Sequence, residues 1–430
     1  MKILRIQLFE KYRSLTPFEQ HFPKHPLLKN KDEVDPICLV GLNGCGKSNL
    51  LELIADIFYL VESIFLEKKY KNRTGKPYTP YANNRKKTEI YFEIEYEIKV
   101  KKIEYIVKIS KRNKSKEPVF EVRKNNEEEW LTISDNHMDY IPLVIGYTSG
   151  HNELLSMPFL ELQDYYAREV TDVAKKRDKK EIVTAPNLLL MDYDINSFIV
   201  IANYLFLPPD KYEIYNSFKE KKEPSLRIKD LNAFRIVYNA SNTAGSFTVE
   251  LTDELKGFLN KLKLCSTSYY KDDKENEEIF DFLNTEATRE LFQFHFGNAK
   301  EFFFALYKLN LLNTLCVKKG YRTKLRTKRG EGKLIKYPTL ATFNKIFRVE
   351  QVELILSNPK LRTEYIKISD GEHQFIHIVG GMLLFDEKEN EQELLYLLDE
   401  PDTHFNPKWR SELFTQLSGV LENYNQEIVL

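Results

Sequence analysis

Cysteine is scarce: four residues in 430, at positions 38, 45, 265 and 316. They show neither a disulfide framework nor a zinc spacing, which excludes both of those scaffolds and suits a reducing, cytoplasmic compartment. Long apolar runs are also missing. No stretch approaches the roughly 18 uninterrupted apolar residues of a membrane span, and Arg5 and Gln7 break the opening segment where a signal peptide needs a continuous apolar core. There is no excess of either charge, since 64 Lys plus Arg balance 64 Asp plus Glu. That argues against wholesale attraction to nucleic acid and leaves room for a local basic patch. No Ser-His-Asp order, H-N-H pattern or carboxylate cluster of a two-metal nuclease stands out, so nuclease chemistry is not expected within these residues. What remains is a chain 42% hydrophobic and 13% aromatic, enough for a substantial globular core. Its length fits two or three domains, or one large domain with an insertion.

The most informative stretch is PICLVGLNGCGKSNLLELIADI, residues 36–57. Gly41, Gly46, Lys47 and Ser48 fill the G-x-x-x-x-G-K-[ST] template of a phosphate-binding loop. Ile37 to Val40 reads as a buried strand entering the loop, and Leu50, Leu51, Leu53, Ile54, Ile57 and Phe58 recur at helical spacing after it. Glycines at 41, 44 and 46 let the backbone turn its N–H groups onto phosphate oxygens, with Asn43, Cys45 and Asn49 completing the cradle. Lys47 would reach the β- and γ-phosphates of ATP and act in catalysis, and the Ser48 hydroxyl would ligate Mg²⁺.

Taken in order, Leu4, Ile6 and Leu8 alternate as an opening strand, and residues 88–110 alternate at period two as an antiparallel meander that residues 117–133 extend. The run from Ile141 to Gly150 reads as a buried strand delivering Tyr147, Thr148, Ser149 and His151 to a loop. Between 163 and 345 the spacing turns helical, giving an inserted, largely helical region between an N-terminal part, 1–162, and a C-terminal part, 346–430, which returns to sheet with FRVEQVELIL. Near the end of the insertion Lys318, Lys319, Arg322, Lys324, Arg326, Lys328, Arg329, Lys333 and Lys336 stand against Glu331 alone. This stretch reads equally as an arm touching phosphates and as an ordinary solvated loop.

Two further clusters follow. In ISDGEHQFIH, Ser369 occupies an N-cap position with Gly371 and Glu372 behind it, and a helix start of that kind offers N–H groups to an anion. Since one ATP already has its cradle, this second phosphate-facing start makes most sense closing on a nucleotide held by another subunit. In ELLYLLDEPDTHFNP, a continuous apolar run ends in Asp399 and Glu400. Asp399 would hold Mg²⁺ together with Ser48, and Glu400 would be the general base that aligns the attacking water. His373 and His377, four apart, have the spacing of a metal-binding pair, but no third ligand is near in sequence. His404 could contact a partner subunit's nucleotide or merely pack.

GLNGCGKSN, ISDGE and LLDEPDTHFNP, in that order, resemble the Walker A, signature and Walker B with D-loop motifs of ABC-type ATPases. The long gap before the second motif is similar to the SMC, RecF and OLD-like branch, and within it to stand-alone ATPases that accompany bacterial restriction and anti-phage systems. The resemblance covers residues 1–60 and 360–430 by specific motifs, and Tyr147 to Asn152 matches a Q-loop in position alone. It implies an α/β P-loop head with a mixed central sheet and an antiparallel β subdomain, carrying the insertion. It also implies ATP and Mg²⁺ as cofactors and a homodimer or higher oligomer in which Ser369, Gly371 and Glu372 meet the opposite nucleotide. A nuclease or toxin effector and double-stranded DNA are the implied partners, with no membrane. A RecF-like repair ATPase and a non-catalytic, ATP-locked scaffold are the alternatives. Two departures stand out: Asp370 replaces the first glycine of the usual signature, and QEIVL ends at Leu430 as the strand that would carry a switch histidine is forming. Either the sequence is cut before that residue, which is the expectation, or the protein does without it.

Overall fold

The structure, a computed structural model, describes residues 1–22, 36–74, 90–113, 117–133, 137–149, 153–176, 181–208, 228–245, 247–329, 336–356, 358, 361–386, 392–420 and 426–430. Alternation of apolar and polar side chains builds the first layer. Strand β1 (Lys2–Leu8) pairs with β2 (Phe18–His21) and β3 (Phe92–Val100). The meander continues through β4 (Ile103–Lys111), β5 (Val119–Lys124) and β6 (Leu131–Thr132), giving an antiparallel sheet in the order β2-β1-β3-β4-β5-β6. The ladder slips between Ile3 and Arg5, so Ile3, Ile6 and Leu8 are buried and Leu4 is not. A bulge changes which side chains share a face, which strict alternation could not anticipate.

Helix α1 (Lys47–Thr74) lies behind this sheet. From Leu51 to Ile64 every residue is buried, so α1 is a core helix and not an amphipathic surface one. Each large apolar side chain along it contributes about 1.5–3 kcal/mol of burial. Its buried carboxylates are met one by one: Glu52 by Arg13 at 2.9 Å, Asp56 by the Tyr12 hydroxyl at 2.7 Å, and Glu62 by the Asn187 backbone N–H at 2.9 Å.

On the other side of α1 stands a parallel sheet. β7 (Leu143–Thr148) leads through α2 (Glu153–Ala174) to β8 (Leu188–Met191) and α3 (Tyr193–Phe206). The chain next forms β9 (Ile228–Tyr238), α4 (Asp253–Cys265), β10 (Ser268–Asp272), β11 (Glu277–Leu283), α5 (Glu286–Phe296), α6 (Ala299–Asn310) and α7 (Lys319–Arg329). Then come β12 (Phe347–Leu356), β13 (Arg362–Glu364), α8 (Asp370–Phe385), β14 (Leu394–Asp399), α9 (Pro407–Val420) and β15 (Gln426–Val429). The parallel order is β15-β14-β7-β8. Strand β14 is apolar throughout because both faces are covered: Leu395 and Leu397 pack towards α1, while Leu394, Tyr396 and Leu398 join the core of α3 and α8.

The segment entering the phosphate loop adds to the outer edge of this sheet. The Ile37 N–H donates to the Ile428 carbonyl, the Leu430 N–H to Ile37, and the Leu39 N–H to Leu430. It is not the buried strand its apolar run suggests: Ile37 and Leu39 are half-buried and Val40 is 93% exposed. Its pairing among the described residues is with β15 alone, and a strand with one neighbour cannot bury both faces.

The region read as helical differs more. β8 belongs to the parallel sheet, while β9, β10 and β11 form an antiparallel sheet with β12 and β13 in the order β10-β11-β9-β12-β13. The breaks at 162 and 345 therefore fall inside continuous packing. The helices expected there do form, as α3, α4, α5 and α6, but the same region also supplies three strands, β9, β10 and β11, to a sheet that local spacing did not reveal.

Candidate functional site

The loop after Val40 is shaped by its glycines. Gly44 and Gly46 have φ of +83° and +102°, a region L side chains rarely enter. A Cβ on Gly46 would also stand 2.8 Å from Leu15 Cδ2, and one on Gly41 would stand 2.6 Å from Cys45 Sγ. The Cys45 N–H closes the loop on the Leu42 carbonyl at 3.2 Å. Lys47 Nζ folds back over it, donating to the carbonyls of Gly41 at 2.8 Å and Leu42 at 3.3 Å. Asn49 Nδ2 donates to Ser14 Oγ, so the Tyr12–Leu15 turn braces the start of α1.

Ser48 and Asp399, 351 positions apart, meet where the Ser48 hydroxyl donates to Asp399 Oδ1 at 2.8 Å. β14 ends at Asp399, and Glu400 follows in a left-handed conformation at φ +52° with its side chain exposed. A non-glycine residue there costs on the order of 1–3 kcal/mol and persists only where the surroundings hold it. Its carbonyl accepts from Thr403 Oγ1 at 3.0 Å and the Thr403 N–H at 3.4 Å. Ser149 hydrogen-bonds the same Thr403 hydroxyl at 3.0 Å, and the Ser149 N–H donates to the Asp399 carbonyl at 3.3 Å. Of the loop expected after β7, Tyr147, Thr148 and Ser149 reach this edge of the sheet, whereas His151 and Asn152 lie outside the described residues.

Helix α8 starts as its sequence indicates. Ser369 Oγ accepts the Glu372 N–H at 3.3 Å, and Glu372 Oε2 receives the Ser369 N–H at 2.9 Å and its hydroxyl at 2.8 Å, closing a capping box. The bonds of Ser369 and Glu372 thus run within α8. Gly371 faces the turn after β14, where a Cβ would come 3.0 Å from the His404 carbonyl. Gln374, absent from every motif, is buried against the same turn.

His373 and His377 pack among tyrosines. Tyr147 meets the His377 ring edge-on at 5.3 Å, and Tyr365 meets His373 at 4.5 Å. Burial pushes His377 down to about 3 and also lowers His373, keeping both neutral. No group of three or more His, Cys, Asp or Glu that could hold a metal stands among the described residues. Asp192, at the tip of β8, caps α3, and burial with Asp194 beside it raises its carboxyl to about 7. The basic stretch is partly structural. Arg322 is buried, donating to Asp164 at 2.7 Å and to the Val317 carbonyl at 3.0 Å, so it is not a free phosphate contact. The side chains of Arg326, Lys328 and Arg329, and residues 330–335 entirely, lie outside the described residues.

The donor set fits a magnesium nucleotide. Ser48 and Asp399 face each other with oxygen donors only, as a hard cation requires, and Lys47 sits over a loop whose positive-φ glycines free its N–H groups for phosphate oxygens. Residues 37–139 match the family described as "AAA domain, putative AbiEii toxin, Type IV TA system". No curated protein matches the chain. The matched segment takes in the loop, α1 and strands β3 to β6, and leaves β1, β2, α8, Asp399 and Glu400 outside. It supports a P-loop ATPase of the AAA/ABC type, a class that generally uses ATP and Mg²⁺. None of the described helices is long and apolar enough to cross a membrane.

Proposed function

We propose that this protein hydrolyses ATP in a head-to-tail dimer whose closure controls a partner effector, a nuclease or toxin, in bacterial anti-phage defence, with double-stranded DNA as the trigger. The observation that carries the reading is the bond between Ser48 and Asp399, since it brings two motifs from distant parts of the sequence onto one cation position. Mg²⁺ bound with ATP supplies charge neutralisation at the phosphate oxygens. Lys47 and the loop N–H groups hold the phosphates, and Ser48 and Asp399 provide the cation's protein ligands. Glu400, exposed at the strand tip, accepts the proton of the attacking water. Ser369 and Gly371 of a second copy engage the γ-phosphate, so ATP favours the closed dimer by contacts the open form lacks. The toxin–antitoxin wording of the matched family favours the defence setting.

The test is ATP turnover by the purified protein with and without double-stranded DNA, alongside its mass in solution with ATP. Turnover stimulated by DNA together with ATP-dependent dimerisation is expected. Glu400→Gln should abolish hydrolysis and trap the dimer. Absence of turnover, with ATP retained in a stable assembly, would replace this reading with an ATP-locked scaffold. A preference for DNA ends or gaps without an associated nuclease would replace it with RecF-like repair.

A further inference from the structure

The turn that carries Glu400 is gripped from the helix that begins at Ser369. Gln374 is 3% exposed, and its one amide spans the turn: Oε1 accepts the His404 N–H at 2.9 Å and Nε2 donates to the Glu400 carbonyl at 3.4 Å. Gly371 lets the His404 carbonyl lie against the first turn of α8, where a Cβ would stand 3.0 Å from it. Beyond the turn, Phe375 packs on Phe405 and Trp409 at 6.5 and 5.9 Å. The Glu400 backbone is left-handed at φ +52°, and the Gln374 bond joins those from Thr403 on its carbonyl.

We propose that Gln374 is a positioning residue for Glu400. It holds the turn in the conformation that aims the Glu400 carboxylate, and it makes that carboxylate and the Ser369–Gly371 helix start one rigid unit. The inference rests on the ATPase reading above. In the head-to-tail dimer, α8 touches one nucleotide while Glu400 of the same chain serves the other, so the clamp links the two sites. An amide suits this position because it donates and accepts in one plane; an ionised glutamate only accepts, and methionine has no donor to offer.

The experiment compares wild type with Gln374→Met and Gln374→Glu, measuring ATP affinity with a fluorescent ATP analogue, kcat, the steepness of turnover against ATP concentration, and melting temperature. A displacement of about 1 Å in a catalytic group can cost about 100-fold in rate. For Gln374→Met the expected result is a kcat lower by roughly 10- to 100-fold, with affinity and ATP-dependent mass retained and the concentration dependence reduced to hyperbolic. Gln374→Glu, which keeps the bond from His404, should fall between. An inactive or monomeric wild type would sink the ATPase reading. An active wild type with unchanged kcat in Gln374→Met, or with affinity and kcat falling together, would overturn this inference alone, and a hyperbolic wild type would overturn the link between sites. If Gln374→Met does not fold, Thr403→Val removes another donor to the Glu400 carbonyl, and normal kcat in both Thr403→Val and Gln374→Glu would equally overturn it.

Discussion

Two loops leave the same edge of the parallel sheet and solve the same geometric problem differently. The phosphate loop reaches positive φ with glycines, at Gly44 and Gly46, and its residues up to Cys45 are exposed. The turn after β14 reaches it with Glu400 and depends on donors from Gln374 and Thr403 to stay there. The first is shaped by the absence of side chains, with backbone bonds and Lys47 closing it. The second is set before any ligand arrives. Binding and chemistry should therefore respond to different kinds of substitution.

That contrast can be broken most decisively at the glycine loop. Gly46→Ala must place a side chain at φ +102° and into Leu15, and it should weaken ATP binding by about 100-fold or more, on the order of 3 kcal/mol, as isothermal titration would record. Gly44→Ala meets open space at φ +83°. Backbone strain alone predicts a loss nearer 10-fold, and equal losses at the two sites would show that Leu15 is irrelevant. Next comes Asp399→Asn, which should cut turnover by roughly 100-fold and raise the Mg²⁺ concentration required, while nucleotide binding in EDTA stays near wild type. Thr403→Val, on the other loop, should lower kcat by about 10-fold with ATP affinity unchanged. A parallel loss of affinity would erase the distinction between the loops.

A pH-dependent effect of a different kind lies away from both loops, at Glu62. Burial raises its carboxyl from 4.5 to about 8. A folded-state value above the unfolded one means its stabilising contribution is complete below about pH 4.5 and is lost as pH rises through about 8. Glu62→Gln should therefore gain in melting temperature relative to wild type between pH 5 and pH 8.5, and a constant difference across that range would refute it.

The glycine loop was legible in the sequence because glycine at positive φ is a requirement of residue type. The positions of Asp399 and Glu400 at a strand tip were legible because a strand buried on both faces must read as a continuous apolar run up to its end. Gln374 was not, since nothing local distinguishes an amide that will clamp a turn from one that will face water. Of the five-stranded sheet of β9–β13, β12 was legible as FRVEQVELIL, and the strands that precede it were missed for a related reason. The sheet's central pair, β9 and β12, meets across more than a hundred positions, as Phe347 opposite Tyr238 illustrates, and pairing at that range leaves little trace in a local window.

The edge position of the phosphate-loop strand also sets a timetable. Ile37 and Leu39 exchange hydrogen bonds with residues 428 to 430, which lie between the loop and β14 in the sheet. On a ribosome making about 5–20 residues each second, the meander β3-β4-β5 can pair as soon as it emerges. The nucleotide site has to wait for residues made some 380 positions after its lysine. Closure over so long a loop makes its assembly a late folding step. A nascent chain would thus pair its antiparallel strands well before the Ser48–Asp399 contact could form.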